Sequence, residues 1–374
     1  MHVSVGKPLF GDIEKEYVND ALNKTEISGL FGGYIPRFEK EFAEFCGTAD
    51  AVSVSSGTTA LHLALRILNI GKGDEVLTST FTNMATFFSI LYDGGVPIPI
   101  DSENDTYNMD PALLEAAITA KTKAIVVVHI YGHPADMDPI MEIARKHNLY
   151  VIEDAAEAHG AQYKGKKVGS IGDIGCFSLY ANKIITTGEG GMLTTNNLEY
   201  AARARSLKAL AFGKTNKFMH EEIGYNYRLT NLQCAMGSAQ MTRIDDILNR
   251  KKIMADYYTQ ALADITDLVL PKEMPWAKNV YWMYNIILTG SLEGKRETLM
   301  RILKERGVET RESFLPFNDQ ELFIKKGMVK GQVSPVASYA GKNGLYIPSG
   351  TDITVEEQAY VVAQIQEVIA ELQS

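Results

Sequence analysis

Apolar residues along the first two-thirds of the chain follow two different periods. In Asp12–Leu22, Arg37–Phe45, Thr59–Leu68 and Asp138–His147 they recur every three to four positions, the spacing of an amphipathic helix. In Ala51–Val54, Asp74–Thr78, Ala124–His129, Leu149–Ile152 and Ile174–Leu179 they form short runs, as in strands covered on both faces. Helices and strands taking turns in this way predict an α/β fold, a mostly parallel central sheet with helices on both faces.

A longer helical pattern runs from Leu232 to Leu262, with Lys, Arg and Asp along one face. It is expected to bridge to a smaller C-terminal α+β domain. That domain would hold a strand at Val280–Leu288, a helix at Lys295–Gly307 and a final helix at Val355–Leu372. The boundary is placed near residue 245, giving a large domain over 1–245 and a small one over 246–374. Arg243, Arg250, Lys251 and Lys252 are expected to form the solvated face of the bridging helix.

Composition narrows the function classes. With 374 residues, 45% of them hydrophobic, the chain can bury a sizeable core without a metal or disulfide staple. A net charge of −9 disfavours a general nucleic-acid or anionic-membrane surface, though not a local basic pocket. Cys46, Cys176 and Cys234 lie far apart, with neither zinc-site nor disulfide spacing. No run approaches membrane-spanning length, and the first residues lack the apolar stretch of a secretory leader. A reducing cytoplasm is the expected setting.

Three strand ends carry candidate chemistry. Lys183 follows the run Ile174–Leu179, and Gly188, Gly190 and Gly191 come soon after it. Open α/β sheets place ligands at such strand ends. A lysine in a partly dry pocket can lose its proton and form a Schiff base, which pyridoxal phosphate (PLP) chemistry requires. A solvated surface lysine is the plain alternative. Ser56-Gly57-Thr58 joins a strand to a helix start, where free N–H groups and the positive helix end attract an anion; an ordinary helix cap reads the same way. Glu153 and Asp154 end a third strand. Paired acids there suit Mg²⁺, whereas a single buried acid would keep a PLP ring nitrogen protonated. Strand alternation sends the two to opposite faces, and Asp154 is the choice for the ring.

Taken together, "SSGTTALHLAL", "VIEDAAEAHGA", "CFSLYANKIITTGEGGM" and "IGYNYRLTN" resemble the DegT/DnrJ/EryC1 sugar aminotransferases, which are PLP enzymes of fold type I, like aspartate aminotransferase. Within that group, "GHPADMDPIMEIARKHNLYVIEDAAEAHG" and "NKIITTGEGGM" are most similar to perosamine synthases, which aminate C4 of GDP-4-keto-6-deoxymannose. The resemblance implies transfer of an amino group, with glutamate as donor, to a keto sugar. Lys183 would carry the cofactor and shuttle the proton. Asp154 would pair with the pyridinium, Glu157 would lie near the ring oxygen, and Ser178 with the Gly57-Thr58 backbone would hold the phosphate. Asn226 would reach the phosphate of a neighbouring subunit and His220 would lie near that site, which implies a homodimer with shared sites.

Two departures bear on the substrate. Asn83 stands where the family usually stacks an aromatic residue on the ring. The segment Arg311-Glu312-Ser313-Phe314-Leu315-Pro316 keeps an arginine and a proline of the perosamine-synthase pattern but loses its histidine. Arg311 remains a candidate for a substrate phosphate or carboxylate, while an inward Glu312 would repel a diphosphate. A non-nucleotide sugar acid such as an oxidised octulosonate stays open as acceptor, as does a PLP-dependent sugar dehydratase. A DNA-binding regulator would need a basic module that is not evident. His129 and His133 are expected in a loop beside the cofactor, with no third ligand to complete a metal site. Tyr281-Trp282-Met283-Tyr284 is expected to be core packing, with sugar stacking as the other reading.

Overall fold

The computed structural model describes residues 1–213 and 215–373. Seven strands form the central sheet: β1 (Asp50–Val54), β2 (Glu75–Ser79), β3 (Val96–Ile100), β4 (Thr122–Val128), β5 (Tyr150–Asp154), β6 (Ile174–Ser178) and β7 (Gly191–Thr195). Their order is β1-β7-β6-β5-β4-β2-β3. The pairs from β6 through β5, β4 and β2 to β3 are parallel, and β7 runs antiparallel to both β1 and β6. The mostly parallel sheet expected from the sequence is present, and its apolar strands are covered on both faces. Ala124, Val126 and Ile152 join one core with Leu61, Leu65 and Leu207. Ile125, Val127 and Val151 join another with Met137 and Ile140.

Register brings the functional ends together. Ser79 pairs with Ile100, Val128 with Asp154, and Asp154 with Cys176, so the parallel strands finish at one rim. Because β7 reverses, its first residue Gly191 faces both Ser178 and Val54, which places the exit of β1 at that same rim.

The expected helix over Leu232–Leu262 is two helices, Asn231–Met241 and Ile244–Leu262. At the break Thr242 bonds its hydroxyl back to the Ala239 carbonyl (2.6 Å), and Arg243 turns to Glu14 (3.1 Å). Side-chain bonds of this sort compete with the helical ladder. The basic residues are accordingly not one solvated face. Arg250 and Lys252 do lie outside, paired with Asp246 and Asp256, but Arg243 binds the buried Glu14 and Lys251 is buried itself. Lys251 falls on the apolar stripe of Ile247, Met254, Ala255 and Tyr258, so the packed face, not the charge, decided its place.

A second, antiparallel sheet follows, of β8 (Leu268–Val269), β9 (Tyr284–Leu288), β10 (Arg311–Glu312) and β11 (Gly344–Ile347), in the order β8-β9-β11-β10. Helices Ile244–Leu262, Arg296–Glu305 and Val355–Gln373 share a core with it, and Val3 from the chain start packs there too. The strand expected from Val280 begins only at Tyr284. Tyr281 takes a left-handed backbone conformation (φ 48°), which ends strand geometry and turns Trp282 towards the rim of the large sheet. Among the described residues no helix is long and apolar enough to cross a membrane, and no cluster of three or more His, Cys, Asp or Glu is placed to hold a metal ion.

Candidate active site

At the rim lies a cavity of about 310 Å³. Its lining includes Ser56, Gly57, Thr58, Asn83, Asp154, Glu157, Ser178 and Lys183, brought from five separate stretches of sequence. A larger groove of about 790 Å³ over the N-terminal helices, lined by Asp20, Glu26 and Arg37, is more open, and its one lysine, Lys24, is an exposed side chain already paired with Asp20 (2.7 Å).

One end of the cavity is built for an anion. Ser56 caps the helix Gly57–Ile67, its hydroxyl accepting from the Thr59 N–H (3.1 Å) while Thr59 Oγ1 accepts from the Ser56 N–H (3.0 Å). The Ser56 hydroxyl is thus spent on the helix, and the first-turn N–H groups of Gly57 and Thr58 have no partner within the ladder. Glycine is required on both sides of this turn. A Cβ on Gly57 would lie 2.9 Å from the Ser178 Cβ, and one on Gly191 would lie 2.3 Å from the Ser56 carbonyl oxygen.

Towards β5 lies the acid. Glu153 and Asp154 face opposite sides of the sheet, as alternation requires. Glu153 is wholly buried and saturated, accepting from the N–H groups of Gly169, Ile171 and Gly172 (2.7–2.8 Å) with His129 Nε2 3.1 Å away. Asp154 accepts from the Thr86 hydroxyl (2.8 Å) and the Ala156 N–H (3.3 Å). Burial raises its pKa, against these donors and Lys183. It lines the cavity.

Lys183 stands between these ends in a loop tied at both sides. The Leu179 carbonyl accepts from the Thr187 N–H (3.0 Å), and the Trp282 indole N–H donates to the Asn182 carbonyl (2.9 Å). The lysine side chain is 10% exposed. Its Nζ lies 3.5 Å from the centre of the Trp282 ring and 3.9 Å from Glu157 Oε1, with no hydrogen bond to either. Burial lowers its pKa, opposed by Glu157 and Asp154. Burial likewise raises Glu157 to about 7, opposed by Lys183 and by the Tyr131 N–H donating at 2.8 Å. Both groups are pushed towards their neutral forms, the state in which an amine is nucleophilic.

Asn83 lines the cavity without covering it: its Oδ1 accepts from the Ala85 N–H (3.0 Å), which turns the amide into the helix start. Asn226 and His220 are exposed, and neither lines this chain's own cavity. Arg311 lines an adjoining cavity of about 140 Å³, which shares Asn182, Lys183, Trp282 and Tyr346 with the first. Glu312 points away to Arg296 (3.8 Å), because neighbours on a strand face opposite sides. The repulsion it threatened is absent.

His129 and His133 are structural, the former held by Glu153 and the latter accepting from the Met274 N–H (3.1 Å). Between them Tyr131 packs behind two residues of the cavity lining, stacked on Phe314 (5.3 Å) and facing Trp282 (6.3 Å). Sequence reasoning assigned no role to Thr86, and although Trp282 does pack in the core as expected (5% exposed), its second role in the cavity lining went unread. Thr86 carried a usable signal, three residues after Asn83 at the first turn of a helix. Trp282 carried none, since its place depends on the left-handed Tyr281.

Residues 10–366 match the DegT/DnrJ/EryC1/StrS aminotransferase family. The chain belongs to that family. Similar curated proteins include the GDP-perosamine synthase of Escherichia coli O157:H7, 42% identical over 366 residues, and that of Caulobacter vibrioides, 40% identical over 368 residues; each alignment covers 98% of both chains. Among solved structures, DesV of S. venezuelae in complex with a ketimine intermediate superposes with a TM-score of 0.89 at 32% identity, covering 95% of this chain and 94% of that one. The protein is a PLP-dependent aminotransferase. The cavity fits that cofactor chemically: unpartnered N–H groups and the Ser178 hydroxyl at one end suit a phosphate, Asp154 a ring nitrogen, and the unbonded amine of Lys183 a carbonyl.

Proposed function

We propose that this enzyme transfers the amino group of glutamate to C4 of GDP-4-keto-6-deoxymannose, giving GDP-perosamine for a surface polysaccharide. The single observation that carries the chemistry is Lys183, a buried amine without a hydrogen bond, in one cavity with Asp154 and the Ser178–Gly57 turn. Bound there, PLP supplies an electron-accepting ring that holds the amino nitrogen between donor and acceptor. Asp154 would hold the ring nitrogen protonated, the Gly57 and Thr58 N–H groups with Ser178 would fix the phosphate, and Glu157 would face the ring oxygen. Lys183 would carry the proton at Nζ, with Trp282, backed by Tyr131, keeping water from it. Arg311, free of Glu312 and opening on the adjoining cavity, would meet the acceptor's charge.

The acceptor is supported by two relatives of near-full length named GDP-perosamine synthase. The same reading makes the enzyme a cytoplasmic homodimer in which Asn226 and His220 serve the neighbouring site. Phe218, Met219 and Ile223, each at least 66% exposed beside them, supply an apolar stretch for a partner to cover. It also divides the chain into domains near residue 245, a reading supported by the helix break at Thr242–Arg243.

The test is incubation of the PLP-loaded enzyme with glutamate and GDP-4-keto-6-deoxymannose, with 2-oxoglutarate and the nucleotide amino sugar followed by mass. Stoichiometric appearance of both is expected. Turnover with an oxidised octulosonate but with no nucleotide-linked keto sugar would overturn the acceptor, and a fully active monomer in light scattering would overturn the shared site.

A further inference from the structure

Lys251 is a buried cation without a counter-ion. It lies inside helix Ile244–Leu262 with 2% of its surface exposed. Its Nζ donates to two backbone carbonyls, those of Trp282 (3.0 Å) and Ser349. No carboxylate lies within ion-pair distance of it among the described residues. Burying an unpaired charge is strongly unfavourable, and here burial lowers the amine's pKa to about 7. A neutral amine has two N–H donors for the two carbonyls, which satisfies both. A methionine of similar length would fill the same space without that cost, so packing alone does not account for a lysine.

The carbonyls it holds explain one. Trp282 follows Tyr281, whose left-handed backbone is disfavoured for a residue with a side chain and must be held from outside. Ser349 is held to the other side of the same segment, its hydroxyl accepting from the Tyr284 N–H (3.3 Å). Beyond the clamp, the Trp282 indole binds the Asn182 carbonyl and its ring sits 3.5 Å from Lys183 Nζ. Lys251 and Lys183 line the same adjoining cavity.

We propose that Lys251 is a positioning residue for Lys183, acting through Trp282: its amine fixes the Trp282 backbone, and the indole fixes the loop and the side chain of the reactive lysine. This rests on Lys183 being the cofactor lysine. A misplacement of about 1 Å remote from the chemistry can cost on the order of 100-fold in rate.

The experiment is a double-mutant cycle of Lys251→Met and Trp282→Phe, with Lys183→Ala as the control on the assignment beneath it. Lys251→Met is expected to lower kcat about 10- to 100-fold with KM for both substrates within about twofold. Adding Lys251→Met to Trp282→Phe should cost less than threefold more, because one route carries both effects. In cofactor-free protein with Trp276→Phe, so that Trp282 is the sole tryptophan, Lys251→Met should shift its emission. Lys251→Gln, which keeps two N–H donors, should restore part of the rate and serves if the methionine variant does not fold. Unchanged kcat and emission in Lys251→Met, or fully additive losses in the cycle, would overturn the proposal while a dead Lys183→Ala left the cofactor assignment standing. An active Lys183→Ala would instead remove that assignment.

Discussion

Two regions of the large sheet bury a lysine beside a carboxylate, and they do opposite things with it. At the edge formed by β1, Lys208 donates to Glu39 (3.0 Å) and to the Ser53 carbonyl (2.7 Å), while Arg205 binds both Glu39 (3.0 Å) and Asp50 (2.6 and 2.8 Å). The Ser53 N–H and hydroxyl complete the shell of Glu39 at 2.8 Å each. Burial alone would raise Glu39, but Lys208, the Ser53 amide and Arg205 outweigh it and hold the acid below its ordinary range. At the rim, Lys183 has Glu157 at 3.9 Å, no hydrogen bond and an open cavity, and both partners are pushed towards neutrality. Burial is common to both. What separates structure from chemistry is whether the charges are satisfied, since a saturated pair has no donor or lone pair left for a ligand.

The sharpest break of this contrast is Lys183→Ala. Turnover should fall by about 10⁴-fold, whereas urea unfolding should move by less than about 1 kcal/mol, because no hydrogen bond is lost. Lys208→Met should do the reverse. Stripped of one of its two cations, the buried Glu39 should cost about 3 kcal/mol in the same unfolding measurement, with kcat of the folded enzyme within about twofold of the parent.

Asp154→Asn tests the buried acid at the rim. A charge-assisted bond worth about 1.5–3 kcal/mol should vanish, so PLP retention, read by equilibrium dialysis, should weaken roughly 10- to 100-fold.

The smallest effect is a pH dependence of opposite sign in the two regions. Glu157 is raised from 4.5 to about 7 in the folded protein. Between those values the native state holds a proton that the unfolded state has lost, so stability falls as pH rises across that window. In cofactor-free protein, Glu157→Gln should remove this fall, on the order of 1–2 kcal/mol between pH 5 and 7 by urea titration. Glu39 works the other way: its lowered pKa contributes stability above the ordinary 4.5, which is lost as pH drops below it. A Glu39→Gln variant should therefore lose its deficit relative to the parent only in acid.

Much of the site was legible because it is carried by strand ends. Lys183, Asp154, Ser178 and the Ser56-Gly57-Thr58 turn each sit where an apolar run stops, and parallel register brings such stops to one rim. Glu312 and Lys251 show where that reasoning fails. A two-residue strand has too little pattern to reveal which way Glu312 faces. Lys251 sits among Arg250 and Lys252 and reads as surface from its charge, although its helical position belongs to the apolar stripe. Trp282 was hidden by a local conformation that propensity disfavours and only surrounding contacts sustain.

The order of periods along the chain determined the fold class, because apolar runs of strand length must be covered on both faces and helices between them supply the cover. It also determined which lysine and which acid lie at strand exits. Tertiary structure alone decided which charged groups were left unsatisfied. That depends on donors and acceptors from distant segments: Thr86 on Asp154, Tyr131 on Glu157, Lys251 on Trp282. Sequence spacing constrains neighbours within a turn or a strand, whereas burial and hydrogen-bond saturation are set here by groups 26 to 68 residues away.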